Sequence, residues 1–158
     1  MHNHQTGYDL SAYIREQFAL DKHDIRTYSP LVLAYIGDGI YELMIRSMVV
    51  EQGNRQVNKL HQQASRFVKA QAQSEMMETL LPLLSEEEVQ IYKRGRNAKS
   101  YTTAKNASVN DYRRATGFEA LMGYLYLNGN IERLTELVKA AVTDYTPKKP
   151  AGTETRNR

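Results

Sequence analysis

The segment from Leu31 to Val50 limits the possible folds of this chain more than any other part of the sequence. It reads LVLAYIGDGIYELMIRSMVV and is apolar on nearly every side of a helix. Elsewhere, apolar residues recur at three- and four-residue spacing, β-branched alternation is scarce, and the chain contains only four prolines. The pattern predicts an all-α helical bundle with this segment as its central, buried helix.

The same spacing predicts shorter helices on both sides of the central one. They cover about residues 10–19, 56–68, 70–81, 85–93, 112–127 and 131–142. Pro30 marks the start of the central helix, and Ser85 followed by Glu88 forms a capping-box pattern. Ser108 and Asp111 are the candidate caps of the helix that carries residues 112–127.

The length of 158 residues suits one domain with a proper hydrophobic core. Hydrophobic residues at 41% and charged residues at 25% are typical of a soluble globular protein. We expect an N-terminal extension with a short helix over residues 1–28, a single helical domain over 29–145, and a disordered basic tail over 146–158.

The composition excludes several kinds of site. The chain has no cysteine, which rules out disulfides, thiolate metal ligands and cysteine nucleophiles. No stretch approaches the roughly 18 apolar residues of a membrane span, and the N-terminus lacks a signal pattern, so we expect a cytoplasmic protein without a membrane partner. The net charge of +3 is weak evidence for an anionic partner, and the distribution of charge is more informative.

Asp38 is the most informative residue, because it lies between Gly37 and Gly39 in the middle of the apolar segment. A carboxylate in such a helix is costly unless it is paired or coordinated. The two glycines weaken the helix by roughly 1 kcal/mol each, but they leave room for a ligand or another backbone to approach. On the residues alone, a functional Asp38 and a buried Asp38 that accepts hydrogen bonds from a neighbouring helix are equally good interpretations.

Glu119 is a second isolated carboxylate, in the predominantly apolar stretch TGFEALMGYLYL. Alone, it could be the partner of a buried arginine. Two carboxylates on two separate core helices fit a hard-cation site better, because Mg²⁺ takes one or two carboxylates and keeps several waters. Such a site can polarise a phosphate and generate hydroxide, which is the usual metal route to phosphodiester hydrolysis.

A polar, basic and aperiodic segment covers residues 93–106 and predicts a loop. Its cations are Lys93, Arg94, Arg96, Lys99 and Lys105, and Arg113 and Arg114 follow soon after. A run of charge is usually a solvated face, and that interpretation stays open. The other interpretation is a surface that holds phosphates, which sets affinity and position without reading sequence.

Two segments of the chain match the motifs of a known family. Residues 30–38, PLVLAYIGD, resemble the signature helix N-E-R-L-E-F-L-G-D of the ribonuclease III catalytic domain, and residues 116–123, TGFEALMG, resemble its second motif D-x-x-E-A-L-x-G. The runs KRGRNAKS at 93–100 and YRRATGFEAL at 112–121 are similar to the compact branch called Mini-ribonuclease III, which lacks a double-stranded-RNA-binding domain. The similarity spans roughly residues 30–143.

The resemblance implies the fold of the ribonuclease III endonuclease domain and an enzyme that cuts double-stranded RNA. Asp38 and Glu119 match the acidic pair that binds the catalytic Mg²⁺, for which Mn²⁺ is an expected substitute. Leu31 and Ala34 stand where the best-known form of the motif has Glu, and Thr116 stands where it has Asp. The implied metal site is therefore reduced to fewer carboxylates.

The same resemblance implies RNA contacts and partners. The implied RNA-binding residues are Lys93, Arg94, Arg96, Asn97, Lys99, Lys105, Arg113 and Arg114, with Lys99 as the favoured single contact and Tyr101 beside it. The family works as a homodimer, and Tyr35 takes the place of the aromatic residue that packs across its two-fold interface. The expected substrate is precursor large-subunit (23S) ribosomal RNA, trimmed to its mature ends, with a ribosomal protein as an assisting partner.

Two other functions stay open on the sequence. The first is a non-catalytic protein that binds structured RNA through the same fold, although retention of both Asp38 and Glu119 argues against it. The second is a helical scaffold or dimerisation module whose basic segment is merely solvated. Near the candidate site, Glu42 and Arg46 are spaced for an i,i+4 ion pair, and a supporting role beside Asp38 is the alternative.

Overall fold

The computed structural model describes residues 9–99 and 108–148, and these residues form helices and connections without a strand. The helices are α1 (Leu10–Gln17), α2 (Pro30–Val50), α3 (Val57–Val68), α4 (Ala70–Leu80), α5 (Glu86–Asn97), α6 (Val109–Leu127) and α7 (Ile131–Val142). Single turns of 3-10 helix follow α1 at Ile25–Thr27 and α4 at Leu81–Leu83. The prediction of an all-α fold is confirmed.

Side-chain caps set several helix starts where the sequence predicts them. Pro30 occupies the first turn of α2, and the capping box of Ser85 and Glu88 is complete at α5. The Ser108 hydroxyl accepts a hydrogen bond from the Asp111 backbone N–H at 3.0 Å. Of the two candidate caps, Ser108 is the one used, so α6 begins at residue 109 and includes the predicted residues 112–127.

The prediction of a loop from residue 93 onwards was wrong for its first five residues. Helix α5 continues to Asn97, so Lys93, Arg94 and Arg96 are helical. Three glutamates in its first turn and arginines in its last turn complement the helix dipole. Gly95 also packs against α6, where an added Cβ would lie 2.9 Å from the Gly117 Cα, so tertiary packing extends the helix beyond what its polar sequence indicates.

Helix α2 is buried on one side only, which corrects the expectation of a helix covered all round. Its buried side carries Leu33, Ala34, Gly37, Tyr41, Ile45 and Val49. Four apolar side chains on the opposite side face solvent, and we call them the exposed row of α2: Val32, Tyr35, Leu43 and Val50. An apolar segment of this kind is therefore not sufficient to place a helix in the centre of one chain.

Helices α2 and α6 make the most extensive contact in the described part of the chain, and glycines bring their backbones together. A Cβ built on Gly37 would lie 1.7 Å from the Glu119 carbonyl oxygen, and one built on Gly123 would lie 1.9 Å from the Leu33 carbonyl oxygen. No residue with a side chain can replace either glycine without moving a helix. The crossing is thus closest where the two candidate carboxylates lie.

The last described residues pack on α4. The Tyr145 hydroxyl donates a hydrogen bond to the Glu75 carboxylate at 2.6 Å, and the Lys148 ammonium pairs with Glu78 at 2.9 Å. Lys148 belongs to the predicted tail, whose residues 149–158 lie outside the described ranges. Within those ranges, none of the helices combines the length and the apolar character that a bilayer crossing requires.

Candidate metal centre and basic face

The closest approach of α2 and α6 positions Asp38 and Glu119. Gly37 lies against the backbone of Glu119, and Asp38 is the next residue along α2. Gly39 has no neighbouring atom within 4 Å of a built Cβ, so the other side of Asp38 is open. The two flanking glycines therefore have different uses: one admits another backbone, and the other leaves free space beside the carboxylate.

Electrostatics show that the two carboxylates lie within range of each other. Burial and, second, the negative charge of Asp38 raise the pKa of Glu119 to about 8. Burial and, second, the charge of Glu42 raise the pKa of Asp38 above its ordinary value. Asp38 loses its proton before Glu119 does, so the repulsion between the two carboxylates raises the pKa of Glu119 and not that of Asp38. Without a cation, burial and mutual repulsion therefore both disfavour a second negative charge on the pair.

The structural interpretations of the two carboxylates do not hold among the described residues. Asp38 has an exposed side chain whose carboxylate is only partly desolvated, and no hydrogen bond from a neighbouring helix reaches it in the described ranges. The partly buried guanidinium of Arg133 pairs with Glu88 at 2.8 Å, not with Glu119. Two carboxylates that repel each other and lack a described cationic partner favour the functional interpretation.

Gln73 is a third polar group at this place, and the sequence prediction missed it. Its side chain, 1% exposed, lies in α4 near the Glu119 carboxyl, where it lowers the pKa of that group against the two raising effects. Its Nε2 donates to the Val68 carbonyl at 3.3 Å, whereas its Oε1 is buried without a partner among the described atoms. The signal was available: residue 73 shares the apolar spacing of Met76, Met77 and Leu80.

The ion-pair interpretation of Glu42 is confirmed. Its carboxylate accepts a hydrogen bond from the Arg46 guanidinium at 2.8 Å, and both side chains are well exposed. Glu42 also raises the pKa of Asp38, so it lies close enough to add negative potential there. Glu42 thus forms the ion pair with Arg46 and also lies near Asp38, but its direct contact among the described residues is the one with Arg46.

The residues at the crossing fit a divalent cation. In the described ranges no three acidic, histidine or cysteine side chains gather, so the set consists of two carboxylates and one neutral amide. Carboxylate and amide oxygens are the donors that Mg²⁺ accepts, with waters completing its shell. A cation would give the unpartnered Gln73 Oε1 a partner. It would also stabilise the ionised form of Glu119, which burial and the charge of Asp38 disfavour.

The predicted RNA-binding residues fall on two neighbouring helix ends, which we call the basic face. It comprises Lys93, Arg94, Arg96, Asn97, Lys99, Arg113 and Arg114. Arg96 lies over the Tyr92 ring at 5.7 Å. Burial raises the pKa of Tyr92, and the charges of Arg96 and Arg114 oppose that rise, so α5 and α6 bring both guanidinium groups near the same ring. No member of the face forms an ion pair with a described residue. Lys105 and Tyr101 lie outside the described ranges.

Comparison with known proteins adds independent findings. A family model described as the Ribonuclease III domain matches residues 31–130. Mini-ribonuclease 3 of Clostridium tetani is 48% identical over 134 residues, which cover 84% of this chain and 87% of that protein. Mini-ribonuclease 3 of Enterococcus faecalis is 52% identical over 117 residues, which cover 73% and 89%. A crystal structure from Fusobacterium nucleatum has a TM-score of 0.69 and 32% identity, covering 77% of this chain and 98% of that one.

Proposed function

Since this chain belongs to the ribonuclease III family, in its Mini-ribonuclease 3 branch, we propose that its endoribonuclease activity matures the ends of precursor large-subunit ribosomal RNA and depends on Mg²⁺. The observation that carries the metal dependence is the meeting of Asp38 and Glu119, where burial and like charge raise the pKa of Glu119 to about 8. A divalent cation compensates both carboxylates and displaces the proton.

The two carboxylates have different exposures, which suit different tasks. Asp38 is exposed beside open space, so it can hold a cation that also faces a bound phosphate. Glu119 is half-buried and is kept in place by the backbone contact with Gly37. When bound, Mg²⁺ supplies a polarised phosphate and an activated water for hydrolysis. The chain contributes two oxygen ligands from two helices that cannot slide apart without losing their closest contact.

The basic face supplies a means of holding the RNA. Arg94 and Arg96 lie in the last turn of α5, with Lys93 just before it and Lys99 just after the helix. Arg113 and Arg114 lie in the first turns of α6, and α6 carries Glu119 further along. Phosphate contacts of this kind fix the position of a duplex without reading its sequence, which suits A-form RNA because its deep major groove is inaccessible to side chains. Specificity for a precursor end then comes from the shape of the RNA.

Replacing Lys93, Arg94, Arg113 and Arg114 by alanine is expected to weaken duplex RNA binding and to flatten its salt dependence. Each lost phosphate contact lowers the slope of log affinity against log salt by about 0.9, so the slope should fall by up to roughly 3.6. A matched variant removes four other exposed cations, Lys22, Lys59, Lys69 and Lys139. Fluorescence anisotropy at several salt concentrations separates the two variants. Equal losses of RNA affinity in the two variants would mean that the net charge of the protein, and not the basic face, determines binding.

The exposed row of α2 supports a homodimer. Tyr35 is 82% exposed, and the row runs from Val32 to Val50, a helix length of about 27 Å. Monomeric proteins rarely expose an apolar row of this length, and a second copy packed along it would cover the row by two-fold symmetry. Each copy would then bring one Asp38–Glu119 pair, one for each strand of a duplex.

The Tyr35→Glu variant is expected to shift the chain towards monomer in sedimentation velocity experiments, because a charge buried in an apolar interface loses its hydration. Leu83→Glu is the matched control, since Leu83 is 52% exposed and lies outside the row. A dimer that persists in the Tyr35 variant, or a control that dissociates equally, would place the interface elsewhere.

The function itself is tested by incubating the purified chain with a long RNA duplex and with a precursor ribosomal transcript, with Mg²⁺, with Mn²⁺ and with a chelator. We expect cleavage of both substrates only with a cation, and cleavage of the transcript at defined ends. Binding without cleavage under all conditions would support a non-catalytic RNA-binding protein. Uniform degradation of the transcript would argue against a dedicated role in ribosomal RNA maturation.

A further inference from the structure

The position of Gln73 in the fold is unusual for a polar side chain. It lies in α4 at a place where the helix otherwise buries Ala72, Met76, Met77 and Leu80, and it is itself 1% exposed. Amides are seldom buried this deeply without a full set of hydrogen bonds. Its Oε1 has no partner among the described atoms, so this atom lacks the donor or cation that a buried oxygen needs.

The orientation of the Gln73 amide is determined by its neighbours. Only the nitrogen can donate to the Val68 carbonyl, which lies 3.3 Å from Nε2. The same amide also serves as a hydrogen-bond partner of Glu119, where it favours the ionised carboxylate. Nε2 is thus committed to the Val68 carbonyl, and the free oxygen belongs to an amide that lies close enough to Glu119 to lower its pKa.

We propose that Gln73 is the third member of the metal centre, where its amide favours the ionised Glu119 carboxylate and Oε1 faces the cation or one of its waters. This inference rests on the proposed Mg²⁺ dependence and names a residue that the acidic motifs do not contain. A neutral oxygen adds a ligand without adding a third negative charge to two carboxylates that already repel each other. It thereby compensates in part for the missing acidic residues at Leu31, Ala34 and Thr116.

Gln73→Leu and Gln73→Glu separate a metal-centre role from a structural one. Leucine keeps the volume and removes both polar atoms, so Mn²⁺ affinity in calorimetric titration should fall by about tenfold to a hundredfold. The denaturation midpoint of the metal-free chain should change little, because removal of the unpartnered Oε1 offsets loss of the hydrogen bond from Nε2 to the Val68 carbonyl. Glutamate restores an oxygen ligand, and its Mn²⁺ affinity should equal or exceed that of the parent chain.

Cleavage kinetics provide a second measurement. The Leu variant should need about ten times more Mg²⁺ to reach half its maximal rate, while much of that maximal rate returns at saturating Mg²⁺. Ser74→Ala is the control, because Ser74 is the next residue of α4 and equally buried at 1% exposure. It should bind Mn²⁺ as the parent chain does.

Comparing Asp38→Asn with Gln73→Leu distinguishes a failure of the proposed metal centre from a failure of the role proposed for Gln73. Unchanged Mn²⁺ affinity in Asp38→Asn would overturn the metal centre as a whole. Loss of affinity in Asp38→Asn together with parent-like affinity in Gln73→Leu would overturn the role of Gln73 alone. If Gln73→Leu does not fold, Gln73→Glu provides the test. Mn²⁺ affinity below that of the parent chain would overturn the proposal, and equal or higher affinity would support it.

Discussion

The Asp38→Asn variant is expected to lose Mg²⁺-dependent cleavage of duplex RNA by a factor on the order of 10³ or more, while its RNA affinity stays near that of the parent chain. Asparagine keeps the shape of the side chain and removes the charge that we propose holds the cation. Asp38 is exposed, so the substitution disturbs no core packing. Single-turnover cleavage at saturating RNA measures the loss, and anisotropy in chelator measures binding without the cation.

Glu119→Gln should lose cleavage to a similar extent, for a reason that can be separated from folding. The pKa of Glu119 is raised to about 8, so the metal-free chain carries this group mainly in its neutral form at pH 7. Glutamine resembles that neutral form closely, and the denaturation midpoint in chelator should therefore stay unchanged or rise. Loss of activity with full stability would identify Glu119 as a ligand rather than a core residue.

Glu42→Gln is the matched carboxylate control on the same helix. Its described contact is the exposed ion pair with Arg46, and such pairs contribute about 0–1 kcal/mol to stability. Most of the cleavage rate should remain. Parent-like cleavage by Asp38→Asn or Glu119→Gln would contradict the assigned roles. A loss of cleavage in Glu42→Gln as large as theirs would mean that Glu42 is also a metal ligand.

The local features of the sequence predicted the helices well because caps and apolar spacing act over a few residues. Pro30, Ser85 and Ser108 each mark a helix start that the structure contains. The end of α5 could not be predicted in this way, since Lys93–Asn97 has no apolar period. That last turn depends on Gly95 fitting against α6, a contact between residues far apart in sequence.

The candidate site was predictable in part for the same reason. Isolated acids in apolar helices marked Asp38 and Glu119, and the glycines beside Asp38 indicated a close approach. Spacing alone does not tell which of Gly37 and Gly39 meets a backbone and which meets open space. Gln73 was missed because a neutral amide within a helical segment does not stand out in the sequence as an isolated charge does. That its Oε1 lacks a partner can be seen only in the folded structure.

The same asymmetry between the two glycines leads to the second large effect. Gly37→Ala is expected to destabilise the fold by about 3 kcal/mol, the upper end of the usual cost of overpacking and a large share of a typical domain's 5–15 kcal/mol. The new Cβ would lie 1.7 Å from the Glu119 carbonyl oxygen, and a backbone atom cannot turn aside as a flexible side chain can. Helices α2 and α6 must therefore separate at the point where they hold the carboxylates, so Mn²⁺ affinity should fall together with stability.

Gly39→Ala adds the same methyl group two residues away and is expected to have the opposite effect on stability. Nothing lies within 4 Å of its built Cβ, and alanine favours a helix over glycine by about 1 kcal/mol. Denaturant unfolding followed by circular dichroism should give a midpoint below the parent chain for Gly37→Ala and at or above it for Gly39→Ala. Equal midpoints in the two variants would mean that the backbones of α2 and α6 are not in contact at Glu119, and the carboxylate pair would lose the feature that brings it together.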